Sequence, residues 1–184
     1  IIDMSWVEKY HPQAVLYAWQ GGQEGGNGVA DVLTGKVCAC GKLTDTIAER
    51  IEYYPSTENF GDPYKNYYKE DIYVGYRYFD TFGIMPLYCF GYGKGYTDFS
   101  LVTKEVTADE KLVKVEVEVT NIGKVYPGRE VVQVYYSAPD GVMEKPTQEL
   151  AGFAKTKLLM PGEKEVVTVT FCLLYTSPSP RDCS

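Results

Sequence analysis

Four valines, Val113, Val115, Val117 and Val119, alternate with Lys114, Glu116 and Glu118. Side chains two apart on an extended backbone share a face, so this stretch predicts a strand with one apolar and one charged side. The alternation returns at Val132, Val134 and Tyr136, and again at Val167, Val169 and Phe171. Asn121-Ile122-Gly123, Pro127-Gly128, Pro139-Asp140-Gly141 and Pro161-Gly162 fall in the intervals, where turns are needed. Short strands at this spacing predict an antiparallel β-sandwich beginning at residue 100. Only about 70 residues carry the pattern before it stops at Phe171, too few for a complete sandwich. From Cys172 the apolar face is lost, and Pro178 and Pro180 lack the N–H a ladder requires. The run 172–182 reads like a translated sequencing adapter, so residues 172–184 are expected to be a read-through tail outside the fold.

The first third reads as α/β. Ser5 is placed to cap a short helix through Trp6, Val7 and Tyr10 that stops near Pro12. Ala14 to Trp19 is a continuous apolar run of the kind a strand covered on both faces carries. A glycine-rich turn follows, Gly21-Gly22-Gln23-Glu24-Gly25-Gly26, with Asn27 as the expected helix cap. Val29, Val32 and Leu33 then share a helix face, and Gly35 is placed to end it. A strand, a glycine turn and a helix form the unit at whose crevice open α/β sheets bind ligands. Between Arg50 and Phe99 the periodicity fades into Tyr, Gly, Pro and Asp, an aromatic load that favours a segment wrapped over a surface. Within it, Ile72 to Phe79 is strand-like, and Arg77 is available to pair with a carboxylate.

Charge narrows the partner. With 25 acidic and 18 basic residues the net charge is −7, and no Lys/Arg cluster occurs. Nucleic-acid binders present a basic face, so a phosphate backbone is not the expected partner. No stretch approaches the roughly 20 apolar residues of a membrane-spanning helix. Five cysteines without framework spacing fit free thiols and tilt the expectation to the cytoplasm over secretion. Cys38-Ala39-Cys40 is a weak metal signal beside a single histidine, His11, and no metal site is expected. With His11 alone, beside Pro12, no Ser/His/Asp triad is expected.

The most informative stretch for binding is Trp19-Gln20-Gly21-Gly22-Gln23-Glu24-Gly25-Gly26. An aromatic plane beside an amide and a carboxylate is what a hydroxyl-rich sugar ring requires. The same residues also fit a plain strand-to-helix turn, and the sequence leaves both readings open. A phosphate loop is disfavoured, because no Lys follows the glycines and Glu24 would repel phosphate. Trp19, Gln23 and Glu24 are the candidate substrate-binding residues. Carboxylates are too many for any pair to stand out as catalytic: Glu24, Asp31, Asp45, Glu49, Glu58, Asp71 and Asp80 all qualify by type.

Several motifs in order resemble family 3 glycoside hydrolases of the β-glucosidase type. They are Gly22 to Gly26 with Ala30-Asp31-Val32-Leu33-Thr34-Gly35, then Gly41-Lys42-Leu43-Thr44-Asp45-Thr46, Tyr73 to Phe79, and Phe90-Gly91-Tyr92-Gly93 with Tyr96 to Phe99. Val119 to Gly123, Gly128 to Tyr135 and Leu150 to Phe153 resemble the family's fibronectin type III-like module. Departures are Cys38-Ala39-Cys40 where Asn-Pro-Ser is common, Cys89 where Pro is frequent, and Lys94-Gly95 for Leu-Ser.

The resemblance implies the rear of an α/β sandwich domain with its aromatic wrap over 1–99, and an incomplete fibronectin type III-like domain over 100–171. It implies a retaining hydrolase of terminal β-linked sugars, with one carboxylate as nucleophile and one as acid then base. The nucleophilic Asp sits in a barrel, typically in Ser-Asp-Trp, which this chain lacks; Met4-Ser5-Trp6 is not that motif. The acid/base Glu belongs to a segment expected before Ile1. No catalytic residue is therefore assigned here, and this fragment is expected to be inactive by itself. No cofactor is implied, since side chains carry both proton transfers. The expected partner is a carbohydrate, with no nucleic acid and no membrane, and the parent enzyme admits a homo-oligomer. The competing expectation is a non-catalytic carbohydrate-binding or adhesion module with an Ig-like domain.

Overall fold

The computed structural model describes residues 2–139 and 141–172. Asp140 of the expected turn and the expected tail beyond Cys172 lie outside the described residues. Two compact units interleave along the chain. Of the described residues, one comprises 2–17, 42–92, 139 and 141–149; the other comprises Ala18–Gly41, Gly93–Ala138 and 150–172. Helices α1 (Ser5–Tyr10) and α3 (Tyr76–Phe82) belong to the first unit, and α2 (Gly25–Leu33) to the second.

In the first unit, α1 ends at His11 in a left-handed conformation, φ 46°, ahead of Pro12. Ser5 does not cap it. The Asp3 carboxylate accepts the Ser5 N–H at 2.9 Å, and that bond holds its pKa below the usual carboxylate range. Residues 43–47 and 88–92 run antiparallel, with Ile47 and Tyr88 exchanging N–H···O=C bonds of 2.9 and 3.1 Å. Two 3₁₀ turns, Ile51–Tyr53 and Pro55–Asn59, lead to α3. The strand-like reading of Ile72 to Phe79 is thus corrected. Gly75 (φ 60°) and Gly83 (φ 65°) bracket a helix whose residues Tyr76 and Phe79, three apart, are buried. Phe79 meets Tyr54 edge-on at 5.7 Å. The Tyr54 hydroxyl accepts the Ala48 N–H (2.8 Å) and donates to the Thr46 carbonyl (3.1 Å), and burial raises its pKa. Arg77 does find its carboxylate, Glu149, at 3.0 Å.

The second unit holds the sandwich: β1 (Phe99–Ala108), β2 (Leu112–Asn121), β3 (Val131–Tyr136), β4 (Glu149–Lys155) and β5 (Lys164–Cys172). One sheet has the order β1-β2-β5 and the other pairs β3 with β4. β2 is central, and its four alternate valines are all buried, Val119 completely. Opposite them on β5 stand Val167 (with Val117), Val169 (with Val115) and Phe171 (with Val113). Val132 of β3 and Leu159 close the core. Each such apolar side chain withdrawn from water contributes about 1.5–3 kcal/mol, which is why the period-two pattern dictates the register. Cys172 still pairs with Leu112, so β5 runs one residue past the expected stop at Phe171.

The charged face of β2 is used as well. A bulge at Lys104 breaks the β1–β2 register between Thr103 and Glu105, and Glu118 receives Lys104 at 3.3 Å and Lys164 at 3.1 Å. Hydrogen bonds from Lys164 and Lys104 hold the Glu118 carboxylate below the ordinary glutamate value. A folded pKa below the unfolded one gives stability that is complete above about pH 4.3 and is lost as pH falls through the folded value. Urea midpoints measured as pH is lowered should therefore fall more steeply in the wild type than in Glu118→Gln.

Asn121, at the end of β2, is completely buried. Its Oδ1 accepts the Thr97 hydroxyl (2.6 Å) and the Gly123 N–H (3.0 Å). Its Nδ2 donates to the carbonyls of Tyr126 (3.0 Å) and Leu159 (2.9 Å). All four capacities of the amide are used. Asn121→Ala would strand two carbonyls, a hydroxyl and an N–H in the interior, and should destabilise by about 2–4 kcal/mol. Urea denaturation checks this; a loss below ~0.5 kcal/mol would contradict the role.

Candidate functional site

The candidate residues sit on the segment that leads into α2, within the second unit. The preceding run Ala14 to Trp19 forms no strand, contrary to the sequence expectation, and Val15, Leu16, Tyr17 and Trp19 are each 43–51% exposed. Hydrophobicity alone does not make a strand, which needs an adjacent backbone to receive its N–H and C=O groups. The turn itself closes through Gly25 N–H to the Gly22 carbonyl (2.9 Å) and Gly28 N–H to the Glu24 carbonyl (3.0 Å). A Cβ on Gly21 would lie 3.0 Å from the Gly25 Cα, so this glycine is needed for close backbone approach.

The helix starts earlier than expected. Glu24, not Asn27, occupies the N-cap position, and the Asn27 amide donates back to the Glu24 carboxylate at 2.5 Å. A Cβ on Gly25 or Gly26 would have nothing within 4 Å, so the first helical turn does not require glycine at either place for space. At the other end Gly35 is left-handed, φ 75°, as its place after Leu33 predicts. Asp31 pairs with Lys36 at 2.9 Å on the surface, which accounts for it structurally.

Gln23 and Glu24 lie on the turn at the head of α2 and Trp19 on the irregular segment just before it, all three open to solvent. Trp19 itself has a positive φ, 52°. Sequence offered no signal for that. A left-handed L-residue costs roughly 1–2 kcal/mol, and such strain concentrates at sites of function.

After α2 the chain runs into Cys38-Ala39-Cys40, a strap whose cysteines carry only a weak signal in the sequence. The Tyr96 N–H donates to Cys38 Sγ at 3.1 Å, and a Cβ on Gly95 would fall 2.6 Å from the Ala39 carbonyl. The Lys155 ammonium donates to the Cys40 carbonyl (2.9 Å) and to Cys40 Sγ (3.2 Å). Among the described residues, no group of three His, Cys, Asp or Glu side chains is placed to hold a metal ion. No helix among them is long and apolar enough to cross a membrane.

Comparison with known proteins places this geometry. Residues 1–96 match the model of the glycosyl hydrolase family 3 C-terminal domain, and residues 130–173 that of the fibronectin type III-like domain. The chain belongs to glycosyl hydrolase family 3. Its fold is accordingly α/β followed by an all-β sandwich, as the sequence predicts. A β-glucosidase of Ruminococcus albus is 47% identical over 92% of the chain, which covers 18% of that protein. The crystal structure of a β-glucosidase from Paenibacillus barengoltzii matches with a TM-score of 0.88 and 49% identity, over 94% of this chain and 20% of that one. The β-glucosidase of Kluyveromyces marxianus in complex with glucose matches with a TM-score of 0.86 and 38% identity, again over 94% and 20%. The family 3 chain thus spans about a fifth of the length of these relatives.

The left-handed Trp19 makes a prediction opposite to the usual order. Both Trp19→Ala and Trp19→Gly remove the ring, but only glycine relieves the backbone. Trp19→Gly should exceed Trp19→Ala in unfolding free energy by about 1 kcal/mol. A more stable alanine variant, in urea denaturation, would show that the backbone is not held left-handed.

Proposed function

We propose that this chain supplies one wall of the sugar site in a retaining β-glucosidase-type hydrolase acting on terminal β-linked sugars. The observation that carries the reading is the 49% identity and TM-score of 0.88 to a β-glucosidase, maintained over 94% of the chain. In this reading the Trp19 ring stacks on a sugar face while Gln23 and Glu24 hydrogen-bond its hydroxyls. The nucleophile and the acid/base carboxylate come from elsewhere in the enzyme, because the chain contains no Ser-Asp-Trp motif and three of its seven candidate carboxylates are engaged otherwise. Glu24 is engaged with Asn27, Asp31 with Lys36, and Glu58 with Lys69. The partner is a carbohydrate and neither nucleic acid nor membrane. We also place the domain boundary after residue 99, supported by β1 starting at Phe99 and by family matches ending at 96 and resuming at 130.

Chemistry with both carboxylates missing has no mechanism, so the chain alone should hydrolyse aryl β-glucosides no faster than buffer. Turnover above that control, abolished in Glu24→Ala, would overturn the assignment. A β-glucoside should quench tryptophan fluorescence in the chain and fail to do so in Trp19→Phe. Quenching that survives this substitution would remove Trp19 from the sugar wall.

A further inference from the structure

We propose that Cys40 and Lys155 form a peroxide-triggered, thiol-reversible covalent bridge. The inference does not rest on the sugar-wall reading. It begins with a pair that neither the fold nor the proposed hydrolysis uses: the Lys155 Nζ lies 3.2 Å from the Cys40 sulfur. Its second bond, 2.9 Å to the carbonyl of the same cysteine, holds the amine beside that sulfur. Cys40 is part-buried and Lys155 is exposed. The strap is fixed from its other side by Gly95 and by the Tyr96 N–H on Cys38 Sγ, so the pair is held at rest.

The bridge forms in two balanced steps. Hydrogen peroxide oxidises the thiol to a sulfenic acid: the sulfur loses two electrons, the O–O bond breaks, one oxygen bonds to sulfur, and the other leaves as water. The Lys155 amine, having released its proton to solvent, then attacks that sulfur. An S–N bond forms, the S–O bond breaks, and a second water departs with one amine hydrogen. A small thiol reverses the bridge, attacking sulfur to release the amine and give a mixed disulfide that a second thiol reduces. The nearby Cys38 offers the competing fate, a Cys38–Cys40 disulfide. Lys155 is the nucleophile bonded to Cys40 Sγ, whereas the Cys38 sulfur accepts the Tyr96 N–H. Since Cys40 lies beyond α2 and Lys155 ends β4, the bridge would tie the helix-bearing segment to the sandwich within one unit.

The test treats the whole chain with hydrogen peroxide in mildly alkaline buffer and maps it with trypsin. The expected product joins the peptide 37–42 to one that spans Lys155, uncut at that lysine, two hydrogens lighter than its components. Acetylation of Lys155 by an amine reagent should fall at least several-fold on oxidation and recover with dithiothreitol. Cys38→Ser should keep the bridge, and Cys40→Ser and Lys155→Arg should each abolish it. The amine-labelling arm needs no variant and so remains decisive if one misfolds. A map showing only an internal Cys38–Cys40 disulfide would overturn the proposal. So would Cys40 driven to sulfinic acid with Lys155 still labelled.

Discussion

The amide of Asn121 is the point on which the second unit turns. β2 brings its valine face to the core, but a strand between two neighbours still has to end, and its terminal polar groups end in the interior. One side chain resolves this by bonding Thr97, Gly123, Tyr126 and Leu159 together, four groups from three separate stretches of chain. The space is set accordingly: a Cβ on Gly123 would fall 2.0 Å from the Thr97 hydroxyl, and one on Gly128 would fall 2.7 Å from its methyl. Both glycines are there because the backbone must close over threonine, not because the turn requires an unusual φ. A buried amide left partly unpaired would be worse than an apolar residue, so the knot is worth keeping only when complete.

That anchoring gives local precision near the candidate site. Tyr96 and Thr97 are consecutive. While Thr97 is locked to Asn121, the Tyr96 hydroxyl donates to the Val32 carbonyl at 2.7 Å, near the C-terminus of α2. The Tyr96 ring meets that of Tyr126, whose carbonyl Asn121 also holds. The helix whose head carries Gln23 and Glu24 is therefore held at its tail by residues adjacent to the polar knot. In the proposed reading the turn gains from such support, since side chains arriving pre-positioned lose less entropy when ligand binds.

Legibility in the sequence divided along physical lines. The β-sandwich was readable because burial on a strand has period two, and Val113 to Val119 follow it without exception. Gly35 was readable because the end of a helix and a left-handed glycine coincide so often. Helix α3 was misread because Tyr, Val and Phe favour strands by composition, whereas position decided: two left-handed glycines fix its ends and the spacing of Tyr76 and Phe79 fixes its buried side. The strand expected at Ala14 to Trp19 failed for the converse reason, as an apolar run says nothing about whether a partner backbone lies beside it. At the candidate site, the residue types and the glycine turn were legible, but the conformation of Trp19 was not. The left-handed φ of Trp19 has no local signature in the sequence.

The same division explains why the strap at Cys38 to Cys40 escaped sequence reasoning. Read alone, Cys-x-Cys is a weak metal signal beside a single histidine, His11. The relevant partner is Lys155, 115 residues away, and it brings an amine rather than a ligand. A serine at position 40 could accept the same ammonium hydrogen bond, so packing does not require sulfur there. Sulfur adds only its oxidation chemistry, and with an amine at 3.2 Å that chemistry has an intramolecular outlet faster than the over-oxidation open to an isolated thiol. Placed between α2 and β4, the pair converts a reversible polar contact into a choice between two states of one sulfur atom.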